Sequence, residues 1–109
     1  MALPKTIKIM HRNYTLVKET TKTLMTSQAY GMFKPVDGVI TYVADVSHSE
    51  TVDTVIHEML HALWMLFDHD KEHEEHIVRT LSTGITTIMR DNPKLFAALQ
   101  EVLNDEGKR

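Results

Sequence analysis

Apolar and polar residues alternate in two short stretches near the start of the chain, and a period of two marks a strand with one buried face. The first stretch is Thr6-Ile7-Lys8-Ile9-Met10 and the second Tyr14-Thr15-Leu16-Val17, with Arg12-Asn13 between them as the expected turn. Residues 20–28 are rich in Thr and weakly periodic, and read as a loop or a short helix. Two further β-prone runs, residues 29–34 and 39–44, flank Pro35-Val36-Asp37-Gly38. Proline presets φ for a turn and Asp-Gly tolerates a positive φ, so these runs are expected to form a hairpin.

The period then changes. Val52, Val55, Ile56, Met59, Leu60, Leu63, Leu66 and Phe67 recur at steps of three and four, the spacing of one helical stripe. Ser47 followed by Glu50 forms a capping-box pair, which predicts a helix over residues 49–67. Asp68-His69-Asp70 interrupts the pattern, and a second helix follows with Ile77, Val78, Leu81, Ile85 and Ile88 as its expected buried stripe, weakened slightly by Gly84. Asp91-Asn92-Pro93 ends that helix and opens a third, with Asn92 as N-cap and Pro93 at the first helical position, running to about Asn104. The expected fold class is α+β: a small antiparallel sheet of hairpins in the N-terminal half, followed by three helices.

Length and composition narrow this picture. A chain of 109 residues suits one domain with one core. Hydrophobic residues at 42% and charged residues at 25% give the balance of a globular protein. With no cysteine, disulfides and Cys-ligated metal sites are excluded, and any metal must be held by His, Asp or Glu. The N-terminal residues carry no signal-like apolar run and no long apolar span occurs elsewhere, so a cytoplasmic location without membrane contact is expected. A formal charge of −3 with scattered Lys and Arg gives no reason to expect a nucleic-acid partner.

Five of the seven histidines fall between His57 and His76. Two belong to His57-Glu58-Met59-Leu60-His61, an H-E-x-x-H motif. On a helix, residues i and i+4 share a face, so both imidazoles can reach one zinc ion. Glu58 is rotated about 100° from His57, where its carboxylate can serve a zinc-held water without joining the ligands. Chance would produce the pattern in a chain of this composition on the order of a few per cent of the time. The flanks Val55-Ile56 and Ala62-Leu63-Trp64 are apolar, and burying two imidazoles and a carboxylate there is costly unless a metal pairs with them.

A catalytic zinc takes a third protein ligand and leaves a position open. Gly and His at the metzincin positions are replaced by Trp64 and Phe67, which excludes that subclass. His69, His73, Glu74, Glu75 and His76 remain as candidates, since the second helix can fold back on the first as an antiparallel hairpin. Glu75 continues an inward stripe through Val78 and Ser82, and Glu74, preceding Ile77, Val78 and Leu81, is nearly as well placed. His73 or His76 would instead give a three-histidine site.

The stretches at residues 57–64, 74–81 and 91–93 resemble the zincin metallopeptidases of gluzincin-like type. They are similar to compact ImmA/IrrE-type metallopeptidases and to small proteins of tailed phages. There H-E-x-L-H-A is followed by Glu-Glu-x-hydrophobic-Val-Arg-x-Leu and an Asp-Asn-Pro break. The resemblance spans roughly residues 38–99 and implies His57, His61 and Glu75 as zinc ligands and Glu58 as general base. The expected function is hydrolysis of a peptide or protein substrate, with the strand at residues 39–44 as the edge along which substrate lies. Tyr42, His48 and His69 are weighed as oxyanion donors, although packing for Tyr42 and solvated positions for the histidines are the simpler roles. The alternative is a non-catalytic zinc protein acting by binding, which a fourth protein ligand on the metal would indicate.

Overall fold

The computed structural model describes residues 3–20, 30–67 and 70–107. Most of the stretch read as loop or short helix, and His69, lie outside the described residues. Four strands, β1 (Thr6–Ile9), β2 (Arg12–Glu19), β3 (Gly31–Lys34) and β4 (Val39–Val43), precede three helices, α1 (His48–Leu66), α2 (Glu74–Asp91) and α3 (Pro93–Gly107). The α+β order expected from the change of period is the order observed.

The strands form one sheet in the order β1-β2-β4-β3. Each hairpin is antiparallel, but β2 and β4 pair in parallel, so the sheet is mixed and not wholly antiparallel as expected. Two hairpins joined by a crossover place β4 in the middle and β3 at the edge. The run Ile40-Thr41-Tyr42-Val43 is buried throughout, as a central strand requires. The first turn falls at Met10-His11, two residues before the expected Arg12-Asn13, because Ile9 pairs with Arg12. Arg12 thereby belongs to β2, where its guanidinium donates to the Pro35 carbonyl at 2.6 Å and stands 5.1 Å from the Tyr14 ring. Gly38 takes φ +66 in the second turn, as Asp-Gly suggested.

Helix α1 begins where Ser47 Oγ accepts from the Glu50 N–H at 3.2 Å, one half of the capping box. Its Val55, Met59, Leu63 and Leu66 pack on the sheet against Ile9, Tyr14, Leu16, Ile40 and Tyr42. Phe67, at the end of the expected stripe, is exposed.

Helix α2 buries only part of the stripe its apolar residues suggested, Val78 fully and Ile85 partly. Val78, Ser82 and Thr86 are buried, whereas Ile77, Leu81 and Ile88 are exposed at 36%, 46% and 50%. The small side chains of Ser82 and Thr86 permit close approach to α1, whereas Ala62 of α1 is buried with the sheet core. The hydroxyls of Ser82 and Thr86 bond back to the Arg79 and Ser82 carbonyls and so carry no unpaired polar atom inward. Asn92 bridges α2 and α3, its amide donating to the Ile88 carbonyl, and α3 touches only α2.

Candidate metal centre

Helix geometry sets His57 and His61 one turn apart, with their Nε2 atoms 3.2 Å from each other. The Thr83 hydroxyl donates to Asp53 while Glu75 meets both histidines, so α2 runs antiparallel to α1 and returns its first turn to the motif. Glu75 Oε1 lies 2.9 Å from His57 Nε2, and Oε2 lies 2.9 Å from His61 Nε2. Tetrahedral ligands held at about 2.0–2.1 Å stand about 3.3 Å apart, close to the separations of these three groups. His57, His61 and Glu75 therefore form a group able to hold a metal ion, and among the described residues no fourth His, Asp or Glu joins it.

Glu74 takes a different place from its neighbour. Its Oε2 is 2.6 Å from His61 Nδ1, on the far side of the ring from Glu75. A carboxylate only accepts, so Nδ1 carries the proton of this bond and Nε2 is the nitrogen left for a metal. His73 and His76, the alternative ligands, are exposed and belong to no such group. His73 sits in the left-handed region at φ 67 just before α2 and pairs only with Glu72, at 3.4 Å.

Burial controls the electrostatics. It pushes the His57 imidazole below its ordinary pKa, outweighing the nearby Glu75 charge, and so favours the neutral form that binds metal. Glu58 is 8% exposed and, among the described residues, meets no hydrogen-bond donor. Its pKa is raised to about 7, first by burial; His61 opposes the rise and Glu75 adds to it. A carboxyl group near that value can both take and return a proton around neutral pH.

Two clefts meet at Gly31, His57, Glu58 and Glu75. One, of ≈ 570 Å³, has apolar walls from Phe33, Pro35, Trp64 and Met65. The other, of ≈ 460 Å³, is polar, with Glu50, Asp53, Arg79 and Thr83. Its edge is β3 and not residues 39–44, because β4 is interior. The Tyr30 carbonyl accepts from the Val43 N–H, so strand alternation turns the N–H and C=O of Gly31 and Phe33 to the open side. Tyr42 and His48 line a separate cavity with Leu16 and Thr51, so neither serves this site.

Two residues at the site were not singled out from the sequence. Gly31 lets α1 lie against β3, a role that a glycine inside a strand pattern signals. Arg79 follows Glu75 by one helical turn and places Nη2 3.6 Å from Glu75 Oε1. Compared with protein-family models, curated proteins and solved structures, the chain matches none.

Proposed function

We propose that this protein is a zinc-dependent metallopeptidase in which His57, His61 and Glu75 hold the ion and Glu58 is the general base. The observation that carries this reading is a three-donor group beside a buried carboxyl that meets no hydrogen-bond donor among the described residues. Two imidazoles and a carboxylate suit zinc, and the resemblance to gluzincin-like enzymes points the same way. When bound, zinc supplies a Lewis acid and lowers the pKa of water to about 7. Glu58 takes the proton of the attacking water and later gives it to the leaving amine. Glu74 holds the His61 ring in the tautomer that presents Nε2. The open edge of β3 offers the Gly31 and Phe33 backbone groups to an extended peptide, which would lie across both clefts.

The absence of a fourth ligand among the described residues favours catalysis over a closed structural site. Replacing Glu58 by Gln keeps the side-chain volume and removes the base. Purified Glu58→Gln should retain about one zinc per chain and lose about 10²–10⁴-fold in turnover of any peptide that the wild type cleaves. Cleavage at the wild-type rate would reject Glu58 as the base. If both proteins bind zinc and neither cleaves a broad peptide library, the non-catalytic binding function is the better account.

A further inference from the structure

We propose that Arg79 is a second catalytic residue of this site, its guanidinium meeting the oxygen of the scissile carbonyl as that oxygen gains negative charge. The assignment rests on the peptidase reading. It begins with placement: Arg79 Nη2 stands 3.6 Å from Glu75 Oε1, the oxygen that lies 2.9 Å from His57 Nε2. The guanidinium is thus one carboxylate oxygen away from the metal-binding imidazoles, and it lines the polar cleft together with His57 and Glu58.

Charge within that cleft supplies the second argument. Among the described residues its other charged side chains are Glu50, Asp53, Glu58 and Glu75, all carboxyl groups, and Arg79 is the one Lys or Arg on its wall. Apart from an ion held by His57, His61 and Glu75, the cation of Arg79 is what an oxygen that becomes anionic on this side meets, against carboxyl groups elsewhere. A fixed cation where charge develops lowers the barrier without a proton leaving the arginine, since the guanidinium stays protonated throughout.

The simpler account is an exposed pair at i, i+4, which stabilises a helix by only about 0.3–0.5 kcal/mol. Glu75 turns both carboxylate oxygens to imidazole nitrogens at 2.9 Å, and the longer 3.6 Å contact leaves Arg79 without a close hydrogen bond to it. With its side chain 72% exposed and no closed ion pair to Glu75, the guanidinium can turn its five N–H groups to an oxygen entering the cleft that it lines. Tyr42 and His48, the donors considered from the sequence, line another cavity and cannot compete for this role.

The test compares zinc-loaded wild type with Arg79→Ala and Arg79→Lys. The Ala variant should keep wild-type zinc content and a KM within about threefold, while kcat falls by about 10²-fold or more. Lys, a point charge without the planar fork, should restore part of the loss, and millimolar guanidinium should restore part of it to the Ala variant. A peptide phosphinate, whose tetrahedral anion imitates the reacting carbonyl, should bind Arg79→Ala at least about 10-fold more weakly than wild type. Uncleaved substrate should bind Glu58→Gln equally well with and without Arg79→Ala. Wild-type kcat and phosphinate affinity in Arg79→Ala would overturn the assignment, as would loss of zinc that accounts for the whole defect. A wild-type protein that cleaves no peptide and binds no phosphinate would instead overturn the peptidase reading itself, and this assignment with it.

Discussion

At the scale of single residues, the absence of a side chain at Gly31 governs how closely Glu58 and α1 lie against β3 at the cleft. A Cβ there would stand 2.5 Å from Thr54 Cγ2, 2.7 Å from the Thr41 carbonyl oxygen and 3.4 Å from Glu58 Cγ. Because one obstacle is the backbone of β4, rotation of a side chain cannot relieve the whole clash: β3 would have to shift against β4, and Thr54 of α1 would have to turn away. Gly31→Ala should therefore cost about 1–3 kcal/mol of stability. It should also reduce turnover more than zinc affinity, since the metal donors are fixed between α1 and α2 while Glu58 rests against the strand. Gly84 is the natural control: no atom lies within 4 Å of its would-be Cβ, so Ala there should stabilise α2 by about 1 kcal/mol. Thermal unfolding of the two variants checks both signs, and an unperturbed Gly31→Ala midpoint would mean that α1 does not bear on β3 at this point.

At the scale of elements, α2 divides two adjacent carboxylates between two tasks. Glu75 supplies an oxygen donor to the metal group, and Glu74 orients the His61 ring from behind. Chelator competition should show Glu75→Gln weakening zinc binding by about 10-fold or more. Glu74→Gln should also weaken it, by about 10-fold, through loss of the bond to His61 Nδ1. Wild-type affinity in Glu74→Gln would mean that the Nδ1 bond does not set the ring.

The same helix shows what sequence could and could not convey. His57, Glu58 and His61 were legible because a fixed local geometry converts their spacing into a shared site. Glu75 was legible as one of several candidates through its register with Val78 and Ser82. The buried face of α2 was read correctly at Val78 and Ser82 and misread at Ile77, Leu81 and Ile88, because apolar pattern assumes that the largest apolar side chains go inward. At the α1 face the small Ser82 and Thr86 are buried and Ile77 and Leu81 are not. The parallel join of β2 to β4 was illegible for another reason: strand alternation specifies faces, not neighbours, so it could not tell which hairpin strand would become the edge. Arg79 was legible only as the arginine of the Glu-Glu-x-hydrophobic-Val-Arg-x-Leu stretch, since the carboxyl groups around it are gathered by the fold.

At the scale of the molecule, α1 lies between the sheet and α2, and the extents are 47 × 32 × 26 Å. Among the described residues no helix is long and apolar enough to cross a membrane. Because α3 touches only α2, the last two helices join the rest of the fold through the α1–α2 face, much of it lined by small side chains. The group able to hold a metal sits at one end of that face, with His61 and Glu75 14 residues apart in the chain. An ion bound there would act as a cross-link that closes a short ring of chain. For a covalent ring of about 15 residues the unfolded chain loses entropy worth about 3 kcal/mol, which sets the scale of the effect. Stripping the metal should then raise amide exchange in α2 and α3 while β1, β2 and β4 keep their protection, and a uniform rise would show that the chain opens as a single unit. Zinc at about 100 times its Kd should restore about 2.7 kcal/mol by mass action. Capture of the ion and docking of the helical half thus become one equilibrium, and metal supply would control how long the α1–α2 seam stays shut to proteases.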